Sequence, residues 1–232
     1  MKTVYWCRCA AGKNFGDALG MAIAQRYAGT HLEWAPAASA DAVLIGSILE
    51  HLPERYTGTV AGIGAARAST RRDLTNARVI ALRGPLTRKQ VELFGPEPVQ
   101  ADPGLLADDF LTGTPTKTHE TGAIAHYADK TFNPEPGALI IDVTAPIETV
   151  VAQAASCGRI QTSSLHGIIL ADALGLPRRW DTYPKVQGGG HKHRDYAASL
   201  GQTITPGEWK TAPADLIAEK KQQLREALRC MT

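Results

Sequence analysis

The stretch QTSSLHGIILADALGLP, residues 161–177, decides the fold prediction because a polar start leads directly into an apolar helical run. Hydroxyl side chains satisfy the free backbone amides of a helix's first turn, so we expect a helix to begin near Ser164. Gly175 and Pro177 are typical of its end. The apolar residues between them predict a helix packed on a sheet. His166 is therefore expected at the positive end of a buried helix, where anions are favoured.

Short β-rich runs alternate with helical runs on both sides of this stretch. The predicted strands are KTVYWC, DAVLIG, TVAGIG and RVIALRG in the first half and GAIAHY, ALIIDV and RIQTS in the second. Further helices are predicted over residues 15–28, 85–94 and 146–156 and in the C-terminal run PADLIAEKKQQLREALRC. Strands that alternate with helices predict an α/β protein with parallel sheets and helices on both faces.

The stretch LTGTPTKTHETG, which starts at Leu111, has no periodicity and is rich in Thr, Gly and Pro. Such a composition is typical of a linker, so we predict that it crosses between two α/β halves. The predicted N-terminal domain is 1–115. The predicted C-terminal domain is 116–232, with a closing C-terminal helix. A ligand site is expected in the cleft between them, at the carboxyl ends of strands.

The composition excludes several functional classes. The chain has 232 residues and a net charge of +2 without a long cationic run, so nucleic acid is not expected as a partner. Its four cysteines lack zinc or redox spacing, and Cys7 and Cys9 are expected to be small reduced core residues. No apolar segment reaches membrane-spanning length and no signal peptide is recognisable. We therefore expect a cytoplasmic protein with at most peripheral membrane contact and no metal.

The motif AGKNFGDALG follows the first predicted strand and opens the first helix. Gly16 and neighbouring backbone amides can cradle an anion there, with Lys13 nearby. Asn14 and Asp17 either bind substrate hydroxyls or cap the helix.

Other polar residues also fall where strands end. Arg83 in ALRGPLTR can make a bidentate contact with a carboxylate or phosphate of a ligand, or it forms an ordinary salt bridge within the protein. His126 in IAHYAD is either a site residue or a rim histidine. The segment QGGGHKHRDY carries Lys192 and Arg194, and we interpret it as a mobile basic loop that closes on an anion or as a solvated loop. GIGAAR has too few glycines and no acidic partner for a nicotinamide cofactor.

The order of the motifs is more specific than any one of them. NFGDALG, LIGSIL, GIGAARA, ALRGPLTR, ADPGLLA, IAHYAD, SSLHGIILADALGLP and HRDYAASLG together resemble the polysaccharide pyruvyl transferase family, in particular the ketal-forming enzymes of bacterial exopolysaccharide synthesis. The resemblance spans residues 12–201. It implies two Rossmann-like domains that face a cleft, as in B-type glycosyltransferases, with the acceptor on the side of domain 1–115 and the donor on the side of domain 116–232. It also implies transfer of pyruvate from phosphoenolpyruvate to two hydroxyls of one sugar, in a polysaccharide or its lipid-linked precursor.

The resemblance also implies roles for individual residues. His166 matches the family's helix-start histidine, and we expect a general acid or a phosphate ligand. Arg83 matches the arginine of the RG motif and is expected to clamp a carboxylate or phosphate, while Asp17 is expected to act as a base or acceptor ligand. No separate cofactor is expected, because phosphoenolpyruvate is itself the donor substrate. The expected substrate-binding residues are Asn14, Gly16, Lys13, Ser163, Ser164, His126, Lys192 and Arg194.

One departure from the family keeps alternatives open. Many members carry an arginine immediately before the leucine and histidine, where this chain has Ser164. Either Lys192 or Arg194 replaces that cation, or the donor has changed. A nucleotide-sugar-dependent glycosyltransferase and a catalytically inactive glycan-binding relative are the alternative functions.

Overall fold

The computed structural model describes residues 3–7, 14–29, 32–184 and 186–231. Parallel strands alternate with helices in both halves of the chain, which confirms the predicted α/β class with parallel sheets. Helices α1 to α6 span Phe15–Ala28, Pro85–Arg88, Ile147–Ala155, Leu165–Ala173, His191–Ser199 and Ala214–Arg229. Shorter 3₁₀ helices span Leu49–His51, Pro103–Phe110 and Gln187–Gly190.

The first sheet comes from the first half of the chain. Its six strands are β1 Thr3–Tyr5, β2 Glu33–Trp34, β3 Ala42–Val43, β4 Thr59–Ala61, β6 Arg78–Leu82 and β8 Val99–Gln100. They lie in the order β2-β1-β3-β4-β6-β8, and all neighbours are parallel. Strands β5 Arg72–Asp73 and β7 Val91–Glu92 pair separately.

The second sheet comes from the second half. Its strands are β9 His119–Ile124, β10 Leu139–Ile140, β11 Cys157–Thr162, β12 Arg178–Trp180 and β13 Trp209–Lys210. The order is β10-β9-β11-β12-β13, and β13 alone runs antiparallel to its neighbour.

The two sheets share one topology. In each, the first strand along the chain lies between the second and the third, and later strands follow in sequence. This is the 2-1-3-4-5 order of doubly wound sheets, in which ligands bind beside the carboxyl ends of the first and third strands, where the winding reverses. In this protein those strands are β1 and β3 in one sheet and β9 and β11 in the other. The predicted domain boundary between residues 115 and 116 stays a prediction.

Helix α1 forms where the sequence predicts it, with bounds set by local signals. The side chain of Asn14 caps its start by accepting a hydrogen bond from the Gly16 amide. Gly29 ends it in the left-handed conformation, with φ of 65°, and donates its amide to the Gln25 carbonyl.

Apolar packing joins the two halves. The 3₁₀ helix Pro103–Phe110 packs on α1, α3, α4 and α6, and its Leu105 and Leu106 are fully buried. Helix α6 extends back to the first half, where it packs on α1, β6 and β8 with Leu224 and Leu228 buried in the shared core.

A buried ion pair also joins the halves. Arg83, directly after β6, donates Nε–H to Asp195 Oδ2 of α5 at 2.9 Å, and both side chains are fully buried. The same carboxylate accepts the Thr87 hydroxyl at 2.6 Å and the amides of Leu86 and Thr87, each at 2.9 Å. Asp195 thus caps α2 and holds α5 against it.

Three local predictions were wrong. The helix predicted over residues 85–94 ends at Arg88, and β7 follows it. The segment QGGGHKHRDY is not a loop: successive left-handed glycines at 188, 189 and 190 lead into α5, which is largely buried. Strand β9 begins at His119, inside the predicted linker.

The cysteine prediction is corrected for one residue. Cys7 is disulfide-bonded, whereas Cys157 is a free, buried thiol as expected of a core cysteine. Cys9 lies outside the described residues. In the described part of the chain, no helix has the length and apolarity that crossing a membrane requires.

Asp195→Ala is expected to lower the free energy of unfolding by about 3–5 kcal/mol, because it leaves the buried Arg83 charge without a partner. Urea denaturation measures this loss. Arg88→Ala is the control, since it breaks an exposed ion pair with Glu97 beside the same helix and is expected to cost less than about 1 kcal/mol. Equal losses in the two variants would contradict the bridging role of Asp195.

Candidate functional site

A cavity of about 230 Å³ lies where the carboxyl ends of the two sheets meet. It is lined by residues that follow β1, β3, β9 and β11, the strands at the two reversal points. The first half contributes polar side chains from Asn14, Asp17, Ser47 and His51. The second half contributes His126, Tyr127, Ser164, His166 and Lys192. Both halves therefore build one polar site.

The start of α1 supplies a carboxyl group with an unusual proton affinity. Asp17 is only 7% exposed, and burial raises its pKa to about 6. A hydrogen bond from Asn14 Nδ2 to Asp17 Oδ2, at 3.2 Å, and the positive charge of Lys192 oppose this rise. Asn14 thus caps the helix and also orients the carboxyl group, and its binding of a substrate hydroxyl stays a prediction.

His166 lies in the first turn of α4, against the first turn of α1. A Cβ atom on Gly16 would lie 1.9 Å from His166 Nδ1, so the absence of a side chain at Gly16 makes room for the ring. Burial, and then the charges of nearby cations, lowers the pKa of His166 to about 3. The imidazole is therefore neutral at pH 7. Its Nε2 atom is buried without a hydrogen-bond partner in the described structure.

The N-terminus of α4 offers further donors. Ser164 is the N-cap residue, yet its side chain makes no capping hydrogen bond. Backbone amides in the first turn of a helix lack partners within the helix, and they carry its positive dipole end. Because Ser164, Leu165 and His166 line the cavity, this helix end faces the site.

Lys192 reaches the cavity from α5 and is a nearly buried cation. Its side chain is 7% exposed and makes no hydrogen bond or ion pair with a described residue. Burial and the charge of Arg83 lower the pKa of Lys192 to about 8, while Asp17 acts in the opposite direction. The amine is therefore charged at pH 7. An ammonium that has lost most of its hydration and lines a cavity is costly, so its position suits an anionic ligand.

Two other predicted site residues, Arg83 and Ser163, do not line the cavity. Arg83 lies behind the cavity wall, where it donates to Ser47 Oγ at 2.8 Å and to the Ala65 carbonyl at 2.6 Å as well as to Asp195. Its proposed role as an anion clamp stays a prediction, and the occupied donors favour a structural role. Ser163 is buried and accepts the His126 amide at 2.9 Å, so it acts by positioning that histidine.

Of the other two predicted cations, one lies away from the cavity and one lies outside the described residues. Arg194 is exposed on the outer side of α5, which leaves Lys192 as the cation of this helix that enters the cavity. Lys13 lies outside the described residues.

The sequence interpretation missed Ser47, His51 and Tyr127. Ser47 and His51 follow β3 in and after LIGSIL, and Tyr127 follows His126 in IAHYAD, so their position after a strand was the available signal. Among the described residues, no group of three or more His, Cys, Asp or Glu side chains is arranged to hold a metal ion.

Comparisons with known proteins show a distant similarity to a viral protein. No family model matches the chain. Uncharacterized protein L143 of Acanthamoeba polyphaga mimivirus is 30% identical in an alignment of 154 residues that covers 53% of this chain and 54% of the viral protein. The chain thus spans about half the length of that relative. The viral protein's name states no activity, so the functional argument depends on the site.

Lys192→Met is expected to raise the free energy of unfolding at pH 7 by about 3 kcal/mol, because the fall in pKa from 10.5 to about 8 measures the cost of burying the charge. Lys192 loses its proton near pH 8 in the folded chain and near 10.5 in the unfolded chain. The free energy of unfolding of the wild type therefore rises relative to that of the variant between about pH 8 and pH 10.5. Above pH 10.5 the difference between the two proteins disappears.

Urea denaturation at pH 7 and pH 10 measures this difference. Arg194→Met removes an exposed cation from the same helix and is expected to change stability by less than about 0.5 kcal/mol. Destabilisation by Lys192→Met would show instead that the ammonium has a structural role.

Proposed function

We propose that the protein transfers pyruvate from phosphoenolpyruvate to two hydroxyls of a sugar, and so forms a cyclic ketal on a polysaccharide or a lipid-linked precursor. The observation that carries the proposal is the nearly buried cation Lys192, which lines one cavity with His166 and the N-terminus of α4. The motif order that resembles the polysaccharide pyruvyl transferases supports the same function.

The donor is small and strongly anionic, and the cavity suits both properties. A carboxylate and a phosphate need cations, neutral N–H donors and free helix amides rather than a metal cage. Lys192, His166 and the first turn of α4 are groups of these kinds. Lys192 also supplies a cation that compensates for the serine at position 164.

The size of the cavity argues against a nucleotide-sugar donor. Its volume of about 230 Å³ is below the range of about 300–1,000 Å³ that is typical of sites for larger organic ligands. A nucleotide sugar carries a base, a ribose, two phosphates and a hexose. Phosphoenolpyruvate is far smaller, so the enclosed volume favours it.

We also propose that the two halves are Rossmann-like domains that face a cleft, as in B-type glycosyltransferases, with the boundary near residue 115. The shared strand order of the two sheets supports this proposal, as does a cavity lined from both reversal points. The donor is then bound mainly by the second half, through His166 and Lys192.

The proposed reaction needs a proton on the methylene carbon of the donor and its recovery from the sugar. Asp17 is the cavity group whose pKa, about 6, suits proton transfer near neutrality. In its protonated form it gives the proton to the methylene carbon, a sugar hydroxyl attacks the adjacent carbon, and the carboxylate takes the hydroxyl's proton. Phosphate then departs, the second hydroxyl attacks the same carbon, and the departing phosphate takes up that hydroxyl's proton as the ketal closes. The neutral His166 then serves as a phosphate ligand rather than as the general acid.

The reaction is tested with phosphoenolpyruvate and a panel of galactose-, glucose- and mannose-containing oligosaccharides, including lipid-linked ones. We expect release of inorganic phosphate and a product that carries one pyruvate ketal, detected by mass spectrometry. Sugar transfer from a uridine diphosphate sugar, with phosphoenolpyruvate inert, would overturn the proposal.

Donor binding is tested by calorimetry with phosphoenolpyruvate. Lys192→Met is expected to weaken it by about tenfold or more, because a charge-assisted contact contributes about 1.5–3 kcal/mol. Arg194→Met is the matched control on α5, and its donor affinity is expected to equal that of the wild type. Equal affinities for Lys192→Met and the wild type would contradict donor binding at this ammonium.

The division of roles between Asp17 and His166 is tested by steady-state kinetics. Asp17→Asn is expected to lower kcat by about 10²- to 10⁴-fold with little change in donor affinity, because it removes proton transfer and keeps the shape. His166→Ala is expected to lower donor affinity and kcat/KM together.

The pH profile provides an independent check of the Asp17 assignment. Since the protonated carboxyl group is the reactive form, kcat/KM is expected to fall as pH rises above about 6. Asp17→Asn removes this limb. A limb that persists in Asp17→Asn would belong to the donor phosphate, whose second pKa is also about 6, and would refute the assignment.

A further inference from the structure

Three aromatic rings form a stack at the edge of the cavity. The His126 ring lies 4.4 Å from the Tyr127 ring and 5.5 Å from the Tyr183 ring, with interplanar angles of 32° and 26°. Tyr183 is buried, whereas Tyr127 is 41% exposed. The three rings are therefore covered at Tyr183 and open to solvent at Tyr127.

Hydrogen bonds fix the orientation and tautomer of His126. Its Nδ1 atom accepts the Ala128 amide at 3.2 Å and lies 3.1 Å from the Tyr183 hydroxyl. A backbone amide can only donate, so Nδ1 carries no proton. Burial lowers the pKa of His126 to about 4, which keeps the ring neutral with its proton on Nε2. His126 therefore brings an N–H donor to the cavity wall.

The opposite lip of the cavity comes from the first half. His51 is exposed in the cavity wall, and its Nδ1 atom lies 2.7 Å from the Tyr5 hydroxyl. Tyr5 in turn packs near Trp34, with ring centroids 6.3 Å apart. This lip also combines a polar imidazole with aromatic support.

Tyr127 differs from the other exposed apolar side chains. The large hydrophobic residues that are exposed in the described structure are Phe94, Tyr127 and Ile140, and of these Tyr127 lines the cavity. An exposed aromatic face beside a polar cavity is suited to a ligand with one apolar face and a polar rim. A pyranose ring has this character, since its C–H groups form flat apolar faces and its hydroxyls surround them.

We propose that Tyr127 is the platform of a sugar-binding subsite, on which the terminal pyranose of a glycan packs while His126 and His51 bind its hydroxyls. This inference rests on the proposed function, because it identifies the subsite as that of the acceptor. Lys192 is 7% exposed and Tyr127 is 41% exposed, so the anionic donor lies deep and the sugar covers it from the open side. Hydroxyls at the inner end of the sugar then face Asp17.

The subsite is tested by saturation-transfer NMR with methyl glycosides of glucose, galactose and mannose, and with uridine diphosphate as a separate probe. At least one glycoside is expected to bind, with saturation strongest at its ring C–H protons. Tyr127→Ala is expected to weaken that binding by about tenfold, the scale of one lost aromatic contact. Tyr127→Phe keeps the ring and Phe94→Ala removes an exposed aromatic outside the cavity wall, and both are expected to bind as the wild type does.

Several outcomes would overturn the platform: no glycoside binds, Tyr127→Ala binds as the wild type does, or only uridine diphosphate depends on Tyr127. The donor assay separates this failure from failure of the proposed function. Glycoside binding through Tyr127 without any transfer from phosphoenolpyruvate would leave the subsite standing and refute the function. Transfer from phosphoenolpyruvate with an unchanged acceptor KM in Tyr127→Ala would refute the subsite and leave the proposed function standing.

Discussion

The buried ion pair between Arg83 and Asp195 determines how the rest of the site is arranged. Arg83 follows a strand of the first sheet and Asp195 belongs to α5, so the pair fixes that helix against the first half of the chain. Residues three apart lie on the same side of a helix. With Asp195 held inward, Lys192 is directed inward one turn earlier, while Arg194 faces solvent. A structural contact outside the cavity wall thus selects which cation enters the cavity.

The same contact shapes the electrostatics of the cavity. Asp195 forms an ion pair with Arg83, whereas no described side chain forms one with Lys192, and burial shifts the pKa values of Lys192 and Asp17 toward each other. These shifts reduce the stability of the empty protein, because each charged form is deprived of water. Such a cost is typical of a site arranged for a ligand rather than for stability. An anion beside Lys192 would favour protonation of the neighbouring groups, so donor binding and proton uptake are coupled in this arrangement.

Sequence reasoning succeeded where local signals determine structure and failed where distant partners do. The ends of α1 depend on Asn14 and Gly29, and both are visible in the sequence. The start of α2 and the packing of α5 against it depend on Asp195, which lies 108 residues from Thr87. The candidate site shows the same division. The position of His166 at a helix start was predictable, but the choice between Lys192 and Arg194, and the burial of Arg83, required the packing of α5.

In the proposed function one cavity serves two substrates, and the shared topology of the two sheets is compatible with this. Each sheet reverses its winding between its first and third strands, and loops from both reversal points line the same volume. In the proposed arrangement the division between substrates does not follow the halves of the chain. Lys192 and His166 of the second half face the donor, yet Tyr127, also of the second half, faces the sugar, and Asp17 of the first half lies where the two must meet. Depth in the cavity, rather than the half that supplies a residue, then separates donor from acceptor, because the enclosed end suits a small anion and only the open end can accommodate a chain of sugars.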